Sequence, residues 1–489
     1  MSLIEKVLWW GSLLTGPEWT QWPHEAAISL STNENGRPSL TLTTEDGQSA
    51  QAPSLGAQLE RNQMTDSFAF PHDFLWGVAT AAHQVEGNNT NSDCWFLERL
   101  PGTIFAEPSG DAVDHYHRYR EDIALIAGLG FTSYRFSLEW ARIEPEEGHF
   151  SVAELNHYRR VLETCHEHGL TPVVTFHHFT SPRWLLAAGG WEDPQTPERF
   201  ARYCDRAMRH LGDLIGVACT LNEPNLPWLL KELGLGGEAP ERRADVPLWA
   251  AAADRLGIDA SRVAPFQFTV SEPGFDIKLA AHHEGRAAIK AIRPELPVGW
   301  TLANTDIQAA GRGQERADRI RREVNERFLV ASRDDDFVGV QTYGRTVFGP
   351  DGVASVPEGA ETNQMGEEIY PEALEATIRE AARVAGIPVI VTENGLATDD
   401  DCQRLAYLRT AVAGVASCLA DGIDVRGYIA WTAFDNFEWI FGYRPKFGLI
   451  AVDRTTQERT PKESARWLGG HARTSSARLA PWAVDAPTR

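Results

Sequence analysis

The chain has 489 residues, 43% apolar and 23% charged, the composition of a folded globular protein rather than a disordered or fibrous one. Lysine and arginine number 46 against 68 aspartates and glutamates. The resulting net charge of −22 argues against a nucleic-acid ligand and fits a neutral substrate.

Residues 1–67 differ from the rest. Trp9, Trp10, Trp19 and Trp22 precede a stretch, 29–58, that is rich in Ser, Thr, Gly, Gln and Asn, with no aromatic residue and no strong period. The expectation is an atypical N-terminal extension over 1–67, partly disordered or packed on the main body. Met64 is a candidate translation start, which would make 1–63 accessory. The apolar run 7–14 is short and has only Lys6 as a positive flank, so a signal peptide is not expected. No apolar run is long enough to span a membrane, and cytoplasm is the expected location.

From Phe68 the pattern alternates. Short apolar runs at 75–80, 132–137, 172–177, 217–221, 298–303, 336–342, 388–392 and 425–431 read as buried strands. Amphipathic stretches at 115–129, 152–168, 197–211, 277–292, 316–331, 371–385 and 401–421 read as helices. This order predicts parallel βαβ units, and eight of them predict a (β/α)8 TIM barrel with long βα loops over 68–472, with 473–489 as a C-terminal tail. An open doubly wound sheet is the alternative, but no Gly-rich phosphate turn follows the first strand and no G-x-x-x-x-G-K-[ST] loop is present. The glycine- and proline-rich insertion 233–272 after the fourth strand is expected to rim the barrel mouth.

Two strands end in a glutamate followed by a turn. They are Glu223 in Thr220-Leu-Asn-Glu-Pro-Asn225 and Glu393 in Val391-Thr-Glu-Asn-Gly395. Barrel enzymes carry their chemistry at the C-terminal ends of the strands. A carboxylate pair there suggests cleavage of a glycosidic bond, which takes one acid and one nucleophile or base. The other strand ends offer Gln84, Arg135, His178, Asn222, Asn304, Tyr343 and Trp431, groups suited to a sugar.

Five segments in order carry a resemblance. They are Phe74-Leu-Trp-Gly-Val-Ala-Thr-Ala-Ala-His-Gln-Val-Glu-Gly87, Tyr134-Arg-Phe-Ser137, the two glutamate motifs, and Trp431-Thr-Ala-Phe-Asp-Asn-Phe-Glu-Trp439. From about Phe68 to Gly470 the chain resembles glycoside hydrolase family one, the β-glucosidases and β-galactosidases. The resemblance implies Glu223 as acid/base and Glu393 as nucleophile, with Arg135 and Tyr343 supporting the nucleophile. It implies Gln84, His178, Asn222, Trp431, Glu438 and Trp439 as sugar-binding residues. Trp431 and Trp439 have core packing as an alternative role, and His178 a structural one. Glu438 argues for an unphosphorylated β-glycoside, because a carboxylate repels a phosphate. The implied activity is that of a retaining, exo-acting β-glycosidase, with a β-glucosidase as the expectation, on small β-glycosides or oligosaccharides, with no cofactor, no nucleic acid and no membrane partner. The alternatives are a non-catalytic carbohydrate-binding protein on the same barrel and an endo-acting barrel glycanase.

Departures from the resemblance are Gln341 and Thr342 before Tyr343, Phe179 and Thr180 after His178, and the 234–245 segment. The longer Gln341 is expected to shift Tyr343 slightly. No metal site is expected, because the histidine pairs at 115/117, 166/168, 177/178 and 282/283 lack His-Glu-x-x-His spacing. The six cysteines, at 94, 165, 204, 219, 402 and 418, show neither zinc nor redox spacing and are expected to be reduced and buried. Asp334 to Asp336 reads as a solvated loop. Sugar preference and oligomeric state are not readable from the chain.

Overall fold

Each of the eight apolar runs becomes one stave of a closed parallel barrel. The computed structural model describes residues 27–32, 38–43 and 49–51, and all of 68–476 except 235, 237 and 238. The staves are β1 (Leu75–Ala79), β2 (Ser133–Ser137), β3 (Thr171–His177), β4 (Val217–Asn222), β5 (Val298–Ala303), β6 (Val338–Gln341), β7 (Val389–Glu393) and β8 (Val425–Trp431). Closure comes from β8 against β1, in register from Gly427 opposite Leu75 to Trp431 opposite Ala79. The strands are buried on both faces, which is why they read as apolar runs rather than alternations.

The outer layer is α1 (His115–Leu129), α2 (Val152–Glu167), α3 (Thr196–Leu211), α4 (Glu272–Ile292), α5 (Gln314–Ala331, interrupted), α6 (Ala373–Ala385), α7 (Asp401–Ala420) and α8 (Glu463–Ser476). Local sequence sets the helix starts. Ser151 caps α2 by accepting from the Glu154 amide, and Asp400 caps α7 through the Cys402 and Gln403 amides. The expected barrel is therefore the observed one.

The differences are informative. The stretch expected as one helix over 316–331 contains a π turn at Arg322–Glu326. Within that turn the Val324 carbonyl accepts from Asn225 Nδ2 at 3.0 Å, so a helix carbonyl is diverted toward the end of β4. Of the three aspartates expected as a solvated loop, Asp334 is exposed in a turn, but Asp335 and Asp336 are drawn against the protein. Asp335 is buried against His282 Nε2 and Arg286 Nε, both at 3.0 Å, and Asp336 pairs with Lys290 at 2.6 Å. These contacts hold Asp336 against α4 and delay the start of β6 to Val338. Five cysteines are free and buried as expected, but Cys402 is exposed at the start of α7.

The insertion after β4 is not a bare loop. Its Pro247–Leu256 helix packs Leu248, Trp249, Ala252 and Ala253 against Leu97, Leu100 and Phe105 of the β1 loop and Phe437 and Tyr443 of the β8 loop. It therefore seals the β1 and β8 side of the mouth. Among the described residues no helix is long and apolar enough to cross a membrane.

Residues 1–67 form a separate unit. Within it Ala27–Thr32, Pro38–Thr43 and Ser49–Gln51 make a three-stranded antiparallel sheet. Ile28 lies opposite Leu42 and Leu30 opposite Leu40, so a short alternation of Ile and Leu with Ser and Thr was the missed signal. The N-terminal tryptophans, the 7–14 run and Met64 lie outside the described residues, as do 477–489.

One glycine fixes how closely β7 and β8 approach. A Cβ on Gly395 would sit 1.9 Å from the Trp431 carbonyl oxygen. Gly128, near the end of α1, has nothing within 4 Å of its Cβ position. Gly395→Ala is expected to destabilise by about 1–3 kcal/mol through overpacking. Gly128→Ala is expected to stabilise by about 0.5–1 kcal/mol through helix propensity. Thermal unfolding of both variants beside the parent measures the opposite signs.

Candidate active site

At the centre of the barrel stands Arg135, on β2 and fully buried. It lies inside its strand rather than at the end, and its long side chain makes up the difference. Its five N–H groups meet five acceptors. Nε donates to Thr175 Oγ1 on β3 at 3.1 Å. Nη1 donates to Glu393 Oε1 at 2.6 Å and to the Thr392 carbonyl at 3.2 Å, both on β7. Nη2 donates to Asn222 Oδ1 on β4 at 2.5 Å and to Thr301 Oγ1 on β5 at 3.5 Å.

Glu393 ends β7 and is 3% exposed, so its charge depends on what donates to it. Besides Arg135, the Tyr343 hydroxyl donates to Oε2 at 2.6 Å and Gln341 Nε2 to Oε1 at 3.0 Å. Burial leaves the carboxyl above its usual range overall, against the opposing pull of Arg135, Tyr343 and Gln341. Tyr343 is held in turn by the Tyr407 hydroxyl, which donates to its carbonyl at 3.0 Å. Burial and the Glu393 charge push the phenol well above its ordinary value, so it stays a donor. The longer Gln341 therefore leaves Tyr343 within hydrogen-bond reach of Glu393 and adds a donor of its own.

Glu223 follows β4 and is 7% exposed. Its pKa lies well above the glutamate range because of burial first and the Glu393 charge second, with Arg135 opposing. Of the two carboxyls, the environment favours the proton on Glu223, since three donors favour ionised Glu393. The Glu223 backbone is left-handed, at φ +48°, which for a non-glycine residue costs roughly 1–2 kcal/mol. Its amide donates to the Thr301 carbonyl at 2.7 Å. Asn225 fixes the turn by pairing with both the amide and the carbonyl of Ala303, at 2.9 and 2.7 Å.

The sugar-type residues gather around this pair. Asn222 Oδ1 already accepts from Arg135, Gln341 and Thr301, so its Nδ2 must face His178 Nε2, at 3.2 Å. That places the imidazole proton on Nδ1, a buried donor with no protein partner. Burial, with Arg135 and His177 nearby, holds His178 well below the histidine range and hence neutral. Gln84 Nε2 donates to Glu438 Oε2 at 3.2 Å and to the Phe437 carbonyl at 2.6 Å. Gln84 Oε1 and Glu438 Oε1 are both buried with no protein partner. Buried polar atoms ordinarily have one, so three such atoms in one place point to a polar ligand. The His178 ring lies nearly parallel to Trp431 (5.6 Å, 19°) and to Trp439 (6.2 Å, 12°). Trp431 is buried beside Tyr343 and Phe447, so it shares both core and pocket surroundings.

The structure thus brings Arg135, Tyr343, Asn222 and His178 into one hydrogen-bonded cluster with Glu393, joins Gln84 to Glu438, and sets Trp431 and Trp439 beside His178. Asn304 is buried at the end of β5, its side chain without a partner. Sequence reading missed Thr175, Thr301, Asn225, Asn394 and Tyr407. The first two had a signal, since hydroxyls stood inside apolar runs. Asn225 and Asn394 lay within the quoted motifs, and Asn394 joins the Thr342 carbonyl, Tyr407 and Tyr428. Tyr407, on α7, had none. Among the described residues no group of three or more His, Cys, Asp or Glu is placed to hold a metal ion.

A (β/α)8 barrel with two buried carboxyls at its mouth and a cation on one of them defines the class as a barrel glycosidase. The model of glycosyl hydrolase family 1 matches residues 66–288 and 341–476. The thermostable β-glucosidase B of Thermobispora bispora is 32% identical over 442 residues, which cover 84% of this chain and 92% of that protein. Among solved structures, the β-glycosidase BGL167 is 79% identical, with a TM-score of 0.84 over 85% of this chain and 99% of its own. A β-glycosidase from Pyrococcus horikoshii is 30% identical, with a TM-score of 0.71 over 83% and 96%. The chain belongs to glycosyl hydrolase family 1.

Tyr343→Phe removes one charge-assisted donor from Glu393, worth about 1.5–3 kcal/mol. The lost donor favours the ionised form, so the Glu393 pKa rises. The acid limb of kcat/KM is expected to move to higher pH, and kcat/KM at its plateau to fall roughly 10- to 100-fold by the same energy. A pH–rate profile on an aryl glycoside reads both.

Proposed function

We propose that this protein is a retaining, exo-acting β-glucosidase that removes the terminal non-reducing glycosyl residue from unphosphorylated β-glycosides. Glu393 is the nucleophile and Glu223 the acid/base. The observation that carries this reading is the unequal environment of two buried carboxyls. Glu393 takes donors from Arg135, Tyr343 and Gln341, whereas Glu223 faces burial and a neighbouring negative charge.

In the first step a Glu393 oxygen bonds to the anomeric carbon as the bond to the leaving oxygen breaks. Glu223 gives its proton to that oxygen. Glycosylation removes the negative charge from Glu393, so the Glu223 pKa falls and the same carboxylate takes a proton from the incoming water. That water bonds to the anomeric carbon and frees Glu393. Two inversions give net retention. Arg135 and Tyr343 hold the nucleophile. Asn222 is suited to the 2-hydroxyl, where hydrogen bonds tighten in the transition state. Gln84, His178 and Glu438 offer partnerless buried atoms for the remaining hydroxyls, and Trp431 and Trp439 wall the sugar.

Support for an unphosphorylated sugar differs from the sequence argument. Burial and the Glu393 charge push the Glu438 pKa well up, so charge repulsion is the weaker part. A second support is that all five Arg135 N–H groups are engaged within the protein, so this buried cation has no donor left for a phosphate. The names of the relatives, β-glucosidases and β-glycosidases, favour glucose as the sugar.

Purified protein is expected to release nitrophenol from the β-glucoside, and silence across β-glucoside, β-galactoside and β-fucoside would sink the proposal. Glu393→Gln should abolish turnover. Glu223→Ala should retain activity on dinitrophenyl glycosides and gain rate with azide, giving a β-glycosyl azide. An α-configured first product from the parent enzyme, seen by proton NMR, would exclude the covalent intermediate.

A further inference from the structure

We propose that Lys278 is a positioning residue for Glu223, acting through the backbone of the Pro224 turn; this rests on the acid/base reading above. Lys278 projects from α4 and is completely buried. Its Nζ donates to three carbonyls: Pro224 at 3.3 Å, Phe266 at 3.0 Å and Thr269 at 3.1 Å. The first belongs to the residue after Glu223, and the other two to the end of the β4 insertion. The ammonium also lies over the rings of Trp228, at 5.0 Å, and Phe266, at 4.5 Å. Trp228 sits in the short helix that follows the Glu223 turn.

Among the described residues no carboxylate lies within ion-pair distance of Lys278. Burial pulls the Lys278 pKa well below the ordinary lysine value; the acid that opposes this, Glu192, is bonded to Arg243 and Ser271, and three carbonyl acceptors around Nζ favour the protonated form. A lysine buried without a counter-ion is costly, and an apolar side chain of similar volume would fill the site more cheaply. What lysine supplies instead is three directed donors, matching three backbone oxygens that would otherwise be buried unpaired. Those oxygens join the insertion to the turn that carries Glu223.

The turn needs such a hold because the Glu223 backbone is left-handed and would otherwise relax. Asn225 clamps it to β5 and to α5, and Lys278 clamps it from the α4 side. A proton donor displaced by about 1 Å loses much of its effect. The loss falls on the step that needs the proton. Leaving groups that depart readily as anions need little help, and poor ones need much.

The test is kcat/KM for purified full-length Lys278→Met on aryl β-glucosides, from dinitrophenyl to unsubstituted phenyl. The expected result is a loss of roughly 10- to 100-fold on phenyl glucoside with dinitrophenyl turnover near the parent's. Lys278→Gln, which keeps a donor, should fall between. Equal losses on all leaving groups would overturn the proposal, as would failure of both variants to fold, which would make Lys278 a residue of the fold alone. Glu223→Ala run alongside separates the two readings. If it shows no leaving-group dependence, the acid assignment fails. If it shows the dependence and Lys278→Met does not, only the positioning role fails.

Discussion

A single buried guanidinium organises this barrel's interior. Arg135 rises from β2 and bonds to side chains or carbonyls on β3, β4, β5 and β7. A buried ion pair gains little net stability over apolar packing, because both charges leave water. The arrangement makes sense as a constraint. The planar fork of five donors sets Asn222 and Glu393, from opposite parts of the sequence, at a fixed spacing around one cation. The contacts of His178, Tyr343 and Gln341 build outward from those two. Asn222, its amide fixed by Arg135, fixes the His178 tautomer, and Glu393, ionised by Arg135, recruits Tyr343 and Gln341.

The second constraint is the strained end of β4, where each residue of Asn222-Glu-Pro-Asn225 has a separate contact. Asn222 belongs to the Arg135 network. Glu223 holds a left-handed backbone. The Pro224 carbonyl meets Lys278, and Asn225 mimics a strand neighbour of Ala303 while reaching the π turn of α5. That irregularity in α5 is thus the counterpart of the turn. A regular helix would keep the Val324 carbonyl for its own ladder, and the turn would lose an acceptor.

Legibility followed the same division. The barrel was readable because its strands are buried on both faces, and continuous apolar runs between amphipathic stretches have few other meanings. Glu223 and Glu393 were readable because each interrupts such a run at its end. Residues that act on other residues were harder. Thr175 and Thr301 look like ordinary strand threonines until Arg135 is placed between them, and Tyr407 looks like a core aromatic on a helix. Asp335 illustrates the reverse error. Three consecutive aspartates suggest solvent, yet His282 and Arg286 lie a turn apart on α4 and draw Asp335 into the interior. The N-terminal strands were missed because two apolar residues in alternation are a weak signal among many small polar ones.

Within a strongly acidic chain, the position of one cation distinguishes the three buried carboxyls of the site. Glu393 is in contact with Arg135, which favours its charged form. Glu223 and Glu438 lack that contact, and each is raised by burial and by Glu393 itself. Burial first, and the Glu393 charge second, thus favour the protonated form of both neighbours. A neutral sugar ring enters such a site without having to displace a counter-ion, which agrees with an enzyme whose outer surface would repel anions at a distance.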